Sequence, residues 1–452
     1  MVSASLLIKD GQVLTEAGLV RAGITIDGGV ITAIGRESNL PAAEKTIDAG
    51  GKILMPGLID THCHFRDPGY TYKEDFRSGS TAAAAGGITM TVDMPNTKPP
   101  PNTLQNFIEH RKNAKGKAVV DFNHWAMPTV IKDVPRIARA GAIGFKFFMK
   151  SAHYPYGSEI AILDQAAQLE AFRVIAKTRL PCLVHPHNQM IWEAKVREYT
   201  RRRKTSLQYF NEVTYGDDDV IETTAIATIV LLANSVGCKL RVLHVQGRPQ
   251  LRVVKAMKSA GYRLTVETNP WSFFKIGPLA IQTKEDREEN WRALSDGTID
   301  LIASDHAPHT REEAVKGHKN VFDSVIVAYP FCEHYLSLFL TEVNRGRLGL
   351  SQLSKLTSEN VAKHLQVYPK KGTIRVGSDA DLTVIDLKQR RILGRDYPVY
   401  SKMGYTPLEG TEVRGIPTMT IVRGEVVMED GEVIGKPGYG EFIRPSPNAS
   451  ES

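Results

Sequence analysis

The sequence predicts an α/β protein, a (β/α)8 TIM barrel carrying a small β-sandwich formed by both chain ends. Three observations predict it. Short apolar runs alternate with helix-length segments through the middle of the chain. Most of those runs end on a histidine, lysine or acidic residue. Both ends of the chain read instead as short strands separated by Gly and Asp turns. Strands alternating with helices imply parallel βα units, and eight units in series imply a closed barrel.

In chain order, residues 1–55 alternate apolar and polar positions in short pieces, as over 18–29. The apolar runs follow at 53–59, 88–92, 118–122, 143–145, 182–184, 240–243, 264–266 and 301–303. Segments 161–178, 220–236 and 250–260 between them have helical apolar spacing. Residues 373–440 return to short strands with Gly/Asp turns, as at Gly377-Ser378-Asp379-Ala380-Asp381. The expected organisation is a barrel over 56–372 and a sandwich joining 1–55 to 373–440, with a disordered tail over 445–452.

At 452 residues the chain is long enough for one large α/β domain and a smaller partner. No run reaches the ~20 apolar residues that span a bilayer, and the first ten residues lack the basic and apolar regions of a signal peptide. Four dispersed cysteines do not form a disulfide framework, so a cytoplasmic location is expected. The net charge of +7 invites a nucleic-acid reading, but its densest source is the single tract Arg201-Arg202-Arg203-Lys204, which reads as a solvated face. Neither nucleic acid nor membrane is expected as a partner. A basic surface fits a small anionic substrate better.

The chemistry concentrates at the strand ends. His62 and His64, two apart after the run 53–59, point to the same side of a strand. Lys146, His185, His244 and Asp305 each end or follow a further run. Taken singly, His185 or His244 reads as a core histidine, Lys146 as a surface lysine and Asp305 as a helix cap. Six such residues at five strand ends of one barrel meet at its mouth, and there they read as a metal site. Imidazole and carboxylate suit Zn2+ and similar ions. A buried lysine can join them after its neutral amine adds CO2 to give an anionic carbamate. Two divalent ions in such a site activate water and polarise a carbonyl, with Asp305 as the catalytic group that carries the proton to the leaving nitrogen.

At these residues the chain resembles the amidohydrolase superfamily and, within it, the cyclic amidohydrolases: dihydroorotases, allantoinases, hydantoinases and dihydropyrimidinases. The resemblance rests on Pro56-Gly57-Leu58-Ile59-Asp60-Thr61-His62-Cys63-His64, Ala84-Ala85-Gly86-Gly87-Ile88-Thr89, Gly144-Phe145-Lys146, Ser304-Asp305-His306-Ala307-Pro308-His309 and Gly377-Ser378-Asp379-Ala380-Asp381-Leu382. It implies two divalent ions, expected to be Zn2+. His62, His64 and Asp305 would bind the first and His185 and His244 the second, with carbamylated Lys146 bridging them. It also implies a homo-oligomer, a dimer or tetramer.

Dihydroorotases look nearest, because Arg66, Asn96 and His309 match the residues that contact the substrate there. The expected reaction is reversible opening of dihydroorotate to N-carbamoyl-aspartate. A hydantoinase-, allantoinase- or dihydropyrimidinase-like activity is the alternative, and a non-catalytic relative a further one. Departures from the dihydroorotase pattern are His187, where an acidic residue is usual, and Glu267-Thr268-Asn269-Pro270-Trp271 after the seventh strand. Gly277 stands in place of a substrate-contacting Asn. Phe145-Lys146-Phe147-Phe148-Met149 is closer to hydantoinases, in which case Tyr154 or Tyr156 would serve as an oxyanion donor. Trp271, Phe273 and Phe274 read equally as pocket wall or as core.

Overall fold

The computed structural model describes residues 4–15, 17–150, 160–276, 283–313, 321–322 and 329–446. Tyr154, Tyr156, Gly277 and residues 447–452 of the expected tail lie outside them. Ser446 is placed, its N–H donating to Gln366 O at 2.8 Å.

Nine strands from the two chain ends form one sheet. The N-terminal strands are β1 (Ala4–Thr15), β2 (Gly18–Asp27), β3 (Val30–Gly35), β4 (Ala43–Asp48) and β5 (Ile53–Pro56). β5 pairs in parallel with β1 and antiparallel with a strand from the far end of the chain, Leu382–Ile392, which ties the two ends together. Alternate residues of these strands (Ile8, Ile24, Ile26, Leu54, Leu382 and Val384 among them) fill a core of their own.

The barrel strands are β6 (Leu58–Cys63), β7 (Ile88–Asp93), β8 (Asp121–Ala126), β9 (Gly144–Phe148), β10 (Cys182–His185), β11 (Leu240–Val242), β12 (Thr265–Thr268) and β13 (Leu301–Ile302). They neighbour one another in chain order, all parallel. The sheet closes through the backbone just beyond β13. His64 N donates to His306 O at 2.7 Å and His306 N to His62 O at 3.1 Å. Helices pack outside the strands, among them α1 (Phe76–Ala85), α2 (Gln165–Ala176), α3 (Leu207–Tyr215), α4 (Val220–Ser235) and α5 (Arg248–Ser259). Strands β14 (Leu382–Ile392), β15 (Glu412–Val422), β16 (Glu425–Glu429) and β17 (Glu432–Val433) complete the terminal sheet.

Two expected strands differ from the observed ones. The run 53–59 is two strands, because the chain leaves the terminal sheet for the barrel at Gly57. A Cβ there would lie 2.3 Å from Thr89 Oγ1, and Gly57 N donates to Asp381 O at 2.8 Å. The third barrel strand is 121–126 rather than 118–122. Its polar residues are buried because each has a specific environment: Asn123 donates to Gly141 O and Ile443 O, and His124 stays neutral, burial pushing it down to about 3. Apolar periodicity alone cannot find such a strand.

No helix among the described residues is long and apolar enough to cross a membrane. The four cysteines are free and buried.

Candidate active site

His62 and His64 leave β6 on one face and meet Asp305, three residues beyond β13. Asp305 Oδ1 lies 3.2 Å from His62 Nε2 and 3.5 Å from His64 Nε2. The far nitrogen of each ring is anchored. His62 Nδ1 is 2.5 Å from Glu267 Oε1 on β12, and His64 Nδ1 is 2.6 Å from Asn96 Oδ1 just past β7. An acceptor on Nδ1 fixes the tautomer that leaves the Nε2 lone pair facing Asp305. Glu267 is itself held from behind, 3.4 Å from the guanidinium of the fully buried Arg241.

His185 and His244 end β10 and follow β11, with His185 Nδ1 and His244 Nε2 2.7 Å apart. The His244 and His62 rings are 6.0 Å apart, so the two groups adjoin. Lys146 rises from the middle of β9 with its amine 4.3 Å from the Phe148 ring centroid. His244, Asp305 and Arg66 have φ values of 39°, 49° and 62°. Left-handed backbone at three non-glycine residues of one site is strain held where side chains must converge.

Burial sets the protonation of this group. It pushes His62, His64 and His185 well below the usual imidazole range and His244 down to about 4, so all four rings are neutral with lone pairs available. It lowers Lys146 to about 7, where a neutral amine is accessible, and raises Asp305 to about 8. A divalent cation beside Asp305 reverses that last penalty. The ligand atoms of His62, His64 and Asp305 lie within 4.8 Å of one another. Neutral imidazoles and a carboxylate this close are a donor set that fits such an ion.

Arg66 and His309, far apart in sequence, come together with Arg66 Nη2 3.4 Å from His309 Nε2. Lys73 Nζ lies 3.4 Å from His309 Nδ1, so two buried cations converge on one imidazole. Of the neighbouring acids, Asp67 is engaged by Lys117 at 2.7 Å and Asp75 by Lys402 at 2.5 Å, whereas Glu313 reaches the cluster itself, 2.7 Å from Lys73 Nζ and 3.4 Å from His309 Nδ1. Asn96 takes up His64 through its oxygen, and its Nδ2 is buried without a hydrogen-bond partner among the described residues.

A cavity opens over the site. His62, His64, Lys146, His185, His244 and Asp305 all line it, whereas Arg66, Asn96 and His309 do not. Its far wall carries Lys150, His187, Thr214 and Glu222. The three aromatics divide. Trp271 faces the cavity and stacks edge-on against Phe331 at 5.1 Å, while Phe273 and Phe274 pack on Trp291 and Phe339 in the core.

Sequence reasoning missed Glu267, Arg241, Lys150 and Glu222. A carboxylate inside an apolar strand run, as at Glu267, is a signal for a buried partner. Lys150 and Glu222 carried no such signal, since one follows a strand and the other sits in the first turn of a helix.

Residues 53–427 match the model of the amidohydrolase family. The chain is 32% identical to an L-hydantoinase of Paenarthrobacter aurescens over 97% of both chains. It is 32% identical to an allantoinase of Rubrobacter xylanophilus over the full length of both. It is also 32% identical to a dihydroorotase of Staphylococcus epidermidis over 94% of this chain and 99% of that one. The solved L-hydantoinase of Arthrobacter aurescens superposes with a TM-score of 0.88 at 30% identity, covering 98% of this chain and all of that one. The chain belongs to the amidohydrolase family and is a hydrolase of cyclic amides.

Proposed function

We propose that the chain hydrolyses the ring C–N bond of an anionic cyclic amide, with reversible opening of dihydroorotate to N-carbamoyl-aspartate as the first candidate. The observation that carries the anionic part is the meeting of Arg66 and His309 beside the His64–Asn96 pair. A planar guanidinium suits two-point grip of a carboxylate, and Asn96 Nδ2 would add a third donor.

His62, His64 and Asp305 would hold one divalent ion and His185 and His244 a second, with Lys146 between them as a carbamate formed from its neutral amine and CO2, one proton being released. When bound, such ions, expected to be Zn2+, supply Lewis acidity toward the amide carbonyl and toward water. Asp305 accepts the proton of the attacking water and returns it to the ring nitrogen as the C–N bond breaks. Glu267 and Asn96 hold the His62 and His64 rings in register for this.

One observation favours a second reading, a hydantoinase-like activity on uncarboxylated rings. The cavity extends toward Lys150 and Glu222, and Arg66 is not among the residues that line it. Comparing Arg66→Ala on dihydroorotate and on an uncarboxylated dihydropyrimidine separates the two. The first reading expects kcat/KM to fall about 100-fold more on the carboxylated ring, the cost of a lost charge-assisted pair. Equal losses on both rings would sink the carboxylate grip and leave the hydantoinase-like reading.

A further inference from the structure

The terminal sheet sends one segment back to the barrel mouth. Residues 393–411 join β14 to β15, and their middle part, 400–405, bonds to the loops that follow β6 and β13. Two buried carboxyl groups seat it. Glu333 accepts the N–H groups of Tyr400 and Ser401 at 2.9 and 2.7 Å. Glu74, with no exposed surface, accepts from Ser401 Oγ at 2.5 Å and from Lys402 N at 3.1 Å. His306 Nε2 is a further partner of Glu74 at 3.3 Å. His306 Nδ1 accepts the N–H of Phe331 at 3.1 Å, which leaves the ring proton on Nε2 to donate. Lifting the segment would strip both carboxyl groups of donors, which is costly for buried acceptors. The segment is a fixed strap and not a lid.

The far end of the strap bears on the residues around Arg66 and His309. Lys402 Nζ donates to Thr71 O at 2.6 Å and to Asp75 Oδ2 at 2.5 Å, on either side of Lys73. Lys73 N donates in turn to Tyr70 O, and Tyr70 N to Arg66 O, both at 2.9 Å. Tyr405 Oη donates to His309 O at 2.9 Å, and the Arg311 guanidinium stands 4.9 Å from the Tyr405 ring centroid. A seam between two domains needs none of this, because Leu393 and Leu408 already pack with Phe331 in a small core. The polar contacts of Lys402 and Tyr405 fall instead on the chain that carries Arg66, Lys73 and His309.

We infer that the strap sets the anion end of the mouth, with Tyr405 as the positioning residue for His309 and Lys402 for the loop of Lys73. The inference rests on the carboxylate grip of Arg66 and His309 proposed above. Tyr405 acts through a backbone carbonyl and Lys402 through the two neighbours of the Lys73–Glu74 pair, so neither touches the ring bond that breaks. Their loss weakens the hold on the substrate carboxylate and leaves the chemical step alone, which reads out as a change in KM with kcat held.

Tyr405→Phe removes only the hydroxyl and tests this in metal-loaded enzyme, beside the double variant Tyr405→Phe/Lys402→Met and Arg66→Ala. Tyr405→Phe is expected to raise KM for dihydroorotate about fivefold, the scale of one lost hydrogen bond, and the double variant about tenfold or more. In both, kcat should stay within about twofold of wild type, and KM for an uncarboxylated dihydropyrimidine should not move. Thermal melts by circular dichroism verify that the variants are folded. If Arg66→Ala raises KM for dihydroorotate and neither strap variant does, the strap is overturned while the carboxylate grip stands. A fall in kcat with KM unchanged, or equal changes in KM on both rings, would make the strap a structural seam and overturn it likewise. Failure of the wild type to open dihydroorotate, or no selective loss in Arg66→Ala, would overturn the grip and the strap with it.

Discussion

At the foot of the barrel, where β8 begins, Asp121, Asp379 and Asp381 converge on Lys371. Its amine lies 2.7, 3.0 and 2.5 Å from the three carboxylates, and Arg423 also bonds Asp121. At the mouth, His62, His64 and Asp305 converge as tightly, each trio having its ligand atoms within 4.8 Å. Yet among the described residues neither a lysine nor an arginine is ion-paired to Asp305. The two clusters have similar ligand density and opposite fillings. At the foot the protein supplies the cations itself and joins the barrel to the terminal sheet. At the mouth the rings are held from behind by Glu267 and Asn96, and they face the carboxylate of Asp305 rather than a cationic side chain. Ligand clustering alone therefore does not mark a metal centre; what fills the cluster does.

The contrast can be broken at either end, and the largest effect is expected at the mouth. Asp305→Asn should cut kcat/KM by about 1000-fold or more, the scale of a lost general acid–base group, with little change in the urea midpoint. A variant that keeps a tenth of wild-type activity would remove Asp305 from the reaction. Lys371→Met at the foot should act the other way. It takes the shared cation from three buried carboxylates, leaving Arg423 on Asp121 alone, and costs about 3–5 kcal/mol in urea unfolding, while kcat of the molecules that remain folded stays near wild type. Unchanged stability would show that the foot cluster is not a lock. Glu267→Gln should fall between, lowering metal affinity or kcat/KM about 10- to 100-fold, as loss of a group behind a metal ligand does. Metal titration by isothermal calorimetry measures it, and an unaltered affinity together with unaltered kcat/KM would mean His62 needs no such support. The smallest effect is expected for Gly79→Ala. Its Cβ would lie 2.2 Å from the ring of Phe65, which sits between His64 and Arg66, at a cost of about 1–3 kcal/mol. A melt matching wild type would show that Phe65 can move freely.

The sequence carried the barrel and the mouth because both repeat: a run, a chemical residue and a helix recur, and His62, Lys146, His185, His244 and Asp305 each fall at the end of a run. It did not carry β8, whose Asp121, Asn123 and His124 are buried polar residues satisfied or neutralised by the fold around them. Nor did it reveal the break at Gly57, which depends on how closely Thr89 approaches. Arg66 and His309 were visible as motif residues. That Asn96 serves His64 through its oxygen was not, because a hydrogen bond between residues 32 apart is a property of the closed barrel. Lys150 and Glu222 were invisible for the same reason: only the folded mouth puts a loop lysine and a helix glutamate on one cavity wall.

The central claim is that the mouth opens a cyclic amide ring. The most direct measurement is turnover of dihydroorotate, and then of hydantoins, by zinc-loaded enzyme prepared with bicarbonate, with Asp305→Asn as control. The prediction is ring opening of at least one of these substrates, with re-closure of N-carbamoyl-aspartate if dihydroorotate is the substrate and near loss of activity in the variant. No turnover of any of these rings by enzyme shown to hold two metal ions, or equal turnover by Asp305→Asn, would contradict the account.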